Sequence, residues 1–237
     1  MSQFKINSIT DKSGYCGPVI AGVSTNNSTG CMIIPAGPTE HRGGRGRAIF
    51  GSGATPTSVN VMDSVEIATI GNAVDFGDDI IARTENYGSC ASSTRGLFAG
   101  GYNTATTADI NTISYVTISS QGGIADFGSL SGSWASYSDG GYYGLGGVSD
   151  STRGLFGGGQ GPSNLIHYVT IATTGDASDF GDLIQGRAYT LGGINNGTRG
   201  IMGGGIGSPT QFSSLDFVTI QTTGNATHFG DMTTIRT

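Results

Sequence analysis

The chain repeats itself four times, and the length of the repeat constrains the fold more than any other property. In each copy an arginine with small and apolar neighbours runs into glycines, a β-branched strand comes next, and a Phe-Gly pair closes the unit. The arginines are Arg47, Arg95, Arg153 and Arg199, and the closing pairs are Phe76-Gly77, Phe127-Gly128, Phe180-Gly181 and Phe229-Gly230, spaced 51, 53 and 49 residues apart. The strands between run over 65–70, 113–118, 166–171 and 215–220. A period near fifty residues with several short strands per unit predicts the blades of a β-propeller rather than a helical solenoid.

Within the last unit, strands are expected over 189–195, 200–203, 215–220 and 227–229, joined by the turns Asn196-Gly197-Thr198 and Thr222-Thr223-Gly224-Asn225, which makes four antiparallel strands. Leu97, Phe98, Leu155, Phe156, Ile201 and Met202 are then expected between neighbouring sheets, with the four Phe-Gly phenylalanines in equivalent packed positions. The 43 glycines far exceed the roughly 7% of an average chain and lack a collagen period. Runs at 100–101, 157–159 and 203–205 fit places where backbones approach closely. A phosphate-cradling loop would feed a helix N-terminus, and no helical period succeeds these glycines.

The repeats occupy residues 38–237 as one domain, and residues 1–37 lack a full copy. Gly22 to Met32 nevertheless resembles Gly193 to Met202, so the N-terminal segment is expected either to close a ring beside the C-terminal strands, as a partial fifth blade, or to act as an assembly arm. On the first alternative, deleting it costs far more stability than trimming a loose tail.

A net charge of −6 and a pI near 4.8 argue against nucleic acid as a partner, because phosphate binding needs clustered Lys and Arg. The one basic run, His41 to Arg47, is far shorter than an RNA-binding Arg-Gly tract. Three cysteines, Cys16, Cys31 and Cys90, show neither metal spacing nor an even number for a disulfide framework. No stretch approaches the roughly 20 apolar residues of a membrane helix, and the N-terminus lacks the apolar core of a signal peptide. Only 12% of residues are charged, so the exposed skin is neutral and polar, suited to packing in an assembly.

Catalytic chemistry finds little support. His41, His167 and His228 occupy non-equivalent repeat positions, and Asp75, Asp126 and Asp179 before Phe-Gly fit turn formation better than general-base work. Arg83, Arg187 and Arg236 each stand seven residues after a unit's Phe and are expected to pair with Asp78, Asp182 and Asp231. Asp75, Asp78 and Asp79 are too few for a calcium loop. No cofactor, metal or catalytic set is expected.

Repeat two departs from the others. From Phe127 to Arg153 is 26 residues, whereas Phe76 to Arg95 and Phe180 to Arg199 are each 19. The inserted stretch carries Trp134, the only tryptophan, at the place of Arg83 and Arg187, with Tyr137, Tyr142 and Tyr143 close by. Such aromatics anchor protein interfaces and stack on sugar rings, so these four residues form the expected binding site. The alternative is that Trp134 fills a gap within its blade.

An arginine before one strand, Gly-Gly at its end and an aromatic on the next resemble the kelch repeat over roughly residues 38–237, although Phe-Gly replaces the usual Trp of the fourth strand. The wording Thr-Arg-Gly-Leu-Phe-Gly-Gly-Gly, succeeded by Tyr-Val-Thr-Ile-Ala-Thr-Thr-Gly-Asp-Ala-Ser-Asp-Phe-Gly-Asp at 168–182, is similar to repeats in virion structural proteins of marine tailed phages, cyanophages among them. The resemblance implies an all-β, kelch-like propeller that is a non-enzymatic tail, fibre or capsid-surface component. Its location would be the virion, assembled in the host cytoplasm. Its partners would be other virion proteins, further copies of itself in a homo-oligomer, or a host-surface glycan. The alternative class is a carbohydrate-binding or carbohydrate-active protein on a propeller scaffold.

Overall fold

The computed structural model describes residues 46–85, 87–130, 142–207 and 210–235, together with one N-terminal strand pair, β1 (Ser24–Thr25) and β2 (Met32–Ile33). The chain divides into two compact units, Met1–Gly43 and Gly44–Thr237. In the first, β1 and β2 pair antiparallel. The expected ring-closing role of residues 1–37 otherwise lies outside the described residues.

The second unit is all-β among its described residues, with successive antiparallel sheets. Sheet one has three strands, β3 (Arg47–Ala54), β4 (Ser58–Glu66) and β5 (Val74–Arg83). Sheet two has four, β6 (Gly88–Ala91), β7 (Arg95–Ala99), β10 (Thr112–Thr117) and β11 (Ala125–Ser129), and a small hairpin, β8 (Tyr102–Asn103) with β9 (Ala108–Asp109), interrupts it. Sheet three has β12 (Leu145–Ser149), β13 (Arg153–Gly158), β14 (Leu165–Thr170) and β15 (Ser178–Asp182) in sequence order. Sheet four repeats this with β16 (Leu191–Asn195), β17 (Arg199–Gly203), β18 (Ser214–Thr219) and β19 (Thr227–Asp231).

The sheets lie side by side because side chains alternate across each strand. Leu97 and Leu155 face the next sheet, and Phe98, Phe156 and Met202 face the sheet before. Phe98 therefore joins Met62 and Phe76 in one core; Leu97 joins Phe127, Phe156 and Ile171 in the next; Leu155 joins Phe180, Met202 and Ile220 in the third. The first strands touch in turn, β6 against β12 and β12 against β16. That contact needs glycine. A Cβ on Gly147 would overlap the Ser89 carbonyl, and one on Gly193 would overlap the Gly147 carbonyl.

The Phe-Gly motif is a β-bulge. Ile113 pairs with Gly128 and Ser114 with Asp126, so Phe127 is the extra residue, and the register skips Phe76, Phe180 and Phe229 in the same way. A bulge re-aims the side chain it leaves unpaired, here toward the next sheet. In the first three units the Asp before the Phe holds the bend: Asp75, Asp126 and Asp179 accept from the backbone N–H of Gly77, Gly128 and Gly181 at 3.0, 3.2 and 3.2 Å.

Two expectations need correction. Phe76, Phe127 and Phe180 are 0, 2 and 3% exposed, but Phe229 is 50% exposed, and Ile201 is half-buried where Leu97 and Leu155 are buried. The cause is position: no described sheet lies beyond sheet four, so its forward side chains have nothing described to pack against.

Candidate functional site

The recurrent charged groups of the repeats join sheet to sheet. Arg47 donates to the Ile118 carbonyl at 3.1 Å, Arg95 to Ile171 at 3.0 Å and Arg153 to Ile220 at 3.1 Å, each reaching from its own sheet to the next. Arg95 and Arg153 also lie over the rings of Tyr115 and Tyr168, at 4.5 and 4.4 Å. Those rings meet Phe127 and Phe180 edge-on.

Arg83 and Arg187 are fully buried clamps, not surface ion pairs. Arg83 donates to the carbonyls of Phe98, Gly100 and Thr112 and to Ser114, and it pairs with Asp79 at 3.0 Å. Arg187 donates to the carbonyls of Gly204 and Ser214 and pairs with Asp216 at 2.9 Å. The expected partners Asp78 and Asp182 are therefore replaced by Asp79 and Asp216. Alternation explains the first: Asp78 points to solvent, and Asp79 is buried beside the guanidinium. Arg236 and the pairing expected with Asp231 lie outside the described residues.

Of the four expected binding residues, Trp134 and Tyr137 lie outside the described residues. Tyr143 sits in a row of tyrosines, its ring centroid 5.6 Å from that of Tyr102 and 6.2 Å from that of Tyr189. Tyr142 flanks the row, and its carbonyl accepts from Gly101 N–H at 2.8 Å. Three connections converge there. Gly144 N–H donates to the Glu85 backbone carbonyl at 3.2 Å, and the Gly144 carbonyl accepts from Thr190 N–H at 3.1 Å, linking the lead-ins to β6, β12 and β16. Gly144 has φ +74°, and an added Cβ would press on the Tyr189 backbone. Glu85 and Tyr189 themselves hold positive φ, 68° and 50°, a conformation that costs free energy and recurs at binding sites.

Burial, with Tyr189, Asp109, Glu85 and Tyr102 nearby, pushes the Tyr143 phenol up to about 12. Tyr142 is raised by burial and Asp109, and Tyr189 by burial and Glu85. These phenols stay protonated at neutral pH, as hydrogen-bond donors with flat apolar faces. The exposed carboxylates Glu85 and Asp109 supply acceptors beside them. Hydroxyl donors, carboxylate acceptors and ring faces together are the groups that hold a polyhydroxylated ligand.

Sequence reasoning finds Tyr142 and Tyr143 and misses Tyr102, Tyr189, Glu85 and Asp109. A signal existed for two of them: Glu85, Tyr143 and Tyr189 each stand ten residues before a seam arginine, Arg95, Arg153 or Arg199. Tyr102 and Asp109 come from the β8–β9 hairpin, whose counterpart in sheet four, the bridge between Ile206 and Gln211, carries neither a tyrosine nor a carboxylate at those places.

No family model matches the chain, and no curated protein matches it. Among solved structures, one titled "Structure of YjhT" superposes with a TM-score of 0.62 at 8% identity, over 79% of this chain and 63% of that one. The likeness is one of fold, and this chain spans under two thirds of the neighbour's length.

Proposed function

We propose that the chain is a kelch-like β-propeller arc that works as a non-enzymatic binding component of a phage virion, holding a glycan on its tyrosine row. The observation that carries the binding reading is the convergence of Glu85, Tyr143 and Tyr189, from three successive connections, with Tyr102 and Asp109 of the β8–β9 hairpin. The side-by-side sheets, their touching first strands and the fold shared with the YjhT structure support the propeller. The virion assignment rests on the similarity of residues 152–182 to phage structural repeats.

A glycan array and then calorimetry on the hits test the binding reading. Tyr143→Ala and Tyr189→Ala are each expected to lose about 1–3 kcal/mol of affinity without lowering the melting temperature by more than a few degrees. A chain that binds no glycan, or variants that bind as well as the parent, would remove this site. Mass spectrometry of purified particles tests the virion assignment separately.

A further inference from the structure

Two sheet faces of the second unit meet no neighbour among the described residues, and they are the two halves of one seam. On sheet four, Arg199 is exposed where Arg47, Arg95 and Arg153 are half-buried against the next sheet. Phe229 is half out in solvent, and a Cβ on Gly230 would meet open space, whereas Gly128 and Gly181 lie against Gly175 and Gly224. On sheet one, Ile67 is 66% exposed where its equivalents Ile118, Ile171 and Ile220 are buried, and Phe50 is exposed where Phe98 and Phe156 are buried. Ala73 is exposed where Ala177 and Ala226 are buried.

The polar groups are complementary as well. At the interior seams a turn glycine donates to the bulged phenylalanine of the preceding sheet: Gly122 to Phe76 and Gly175 to Phe127 at 2.7 Å, Gly224 to Phe180 at 2.8 Å. Ala177 and Ala226 donate to Ser129 and Asp182 at 2.9 and 2.7 Å. Asp176 and Asn225 accept from the same two residues' N–H groups, at 2.9 and 3.0 Å. Gly71-Asn72-Ala73 occupies these positions on sheet one, with no preceding sheet among the described residues to take its bonds. The sequence adds a charge pair: Arg236 stands seven residues after Phe229, as Arg187 does after Phe180, and Asp63 stands where Asp216 receives Arg187.

We propose that these faces meet between molecules, with sheet four of one copy docking head to tail on sheet one of a second copy. Among the described residues of one copy both faces are exposed. Residues 1–45 contain no Phe-Gly pair, the sequence mark of the face that sheet four presents, whereas a second copy carries both faces. Such a contact is heterologous and closes only if the rotation allows. Two copies bring eight of the described repeat sheets, the upper end of the four to eight blades of propellers, so closure at two copies is expected. The tyrosine row contributes no residue to this seam, so the association stands or falls apart from glycan binding.

Light scattering on the full chain across about 1 to 100 μM is expected to give the mass of two chains, whereas a monomer throughout overturns the proposal. Arg199→Glu with Phe229→Asp blocks one face, and Ile67→Asp with Phe50→Ser blocks the other; each is expected to weaken association at least about tenfold. An equal mixture of the two blocked proteins retains one intact junction and is expected to recover a dimer; failure to recover it, or association indifferent to both pairs, overturns the proposal. Asp63→Arg is expected to weaken association and Asp63→Arg with Arg236→Asp to restore it. Should a blocked variant fold poorly, a photo-crosslinker at position 229 of the otherwise unchanged chain decides: attachment to residues 67–73 of another copy supports the seam, and attachment to residues 1–45 overturns it.

Discussion

At the scale of single residues, the same side chain in the same repeat position does different work according to whether another sheet lies beyond it. Arg153 reaches the Ile220 carbonyl of the next sheet, whereas Arg199, among the described residues, lies over Phe217 of its own sheet, 4.9 Å from its centroid. Arg153→Ala leaves a seam carbonyl without its charged donor and is expected to cost about 1–3 kcal/mol. Arg199→Ala is expected to stay within about 0.5 kcal/mol in dilute protein. Urea unfolding of the two variants reads the difference, and equal losses would show that the seam bond contributes nothing. The arginine period was legible in the sequence; its partner was not, because a backbone carbonyl in the next repeat leaves no mark on residue identity. His167 was equally opaque. It is buried at the repeat position held elsewhere by Ser114 and Asp216, and burial lowers its pKa from 6.5 while Asp179 opposes. With the folded value depressed, the unfolded chain takes up the proton first as pH falls. The contribution to stability is therefore complete above about 6.5 and is lost as pH drops through the lower folded value. His167→Ser is expected to flatten that part of the stability-against-pH curve, measured by urea midpoints.

At the scale of elements, the Phe-Gly pair shows how much a motif conceals. The sequence placed it at the end of each unit, correctly, but a bulge is a matter of register and is invisible until the partner strand is known. The bulge glycines all hold positive φ, 142° at Gly181 and 157° at Gly230. They differ in surroundings: a Cβ at Gly181 meets the Gly224 backbone, and one at Gly230 meets nothing within 4 Å. Gly181→Ala therefore carries strain plus overpacking and is expected to lose about 1–3 kcal/mol more than Gly230→Ala, which carries strain alone. Equal melting temperatures for the two would mean that the turn yields and the seam is loose. The tyrosine row divides in a similar way. Tyr143 and Tyr189 share a repeat offset that sequence periodicity contains, whereas Tyr102 reaches them from a hairpin, and only the folded chain brings it there.

For the whole molecule, periodicity gave the sheet order because each unit pairs strands close in sequence, but it treated all four units alike. Their positions make them unlike. Among the described residues, sheets two and three are covered on both sides, and sheets one and four on one side each. In an array whose stability is a sum of intrinsic and neighbour terms, a sheet with a single neighbour opens at lower free energy. Val169 in β14 and Val218 in β18 make the comparison clean: both are buried, both lie on the third strand of their sheet, and each pairs with a glycine of the second strand, Gly154 or Gly200. In dilute protein, hydrogen exchange at the Val218 amide is expected to be faster than at Val169. Raising the protein concentration is expected to slow Val218 and leave Val169 unchanged, because a second copy on sheet four supplies the neighbour it lacks. Identical protection of the two amides at every concentration would mean that the four sheets open as one unit, and the argument from their unequal flanks would fail.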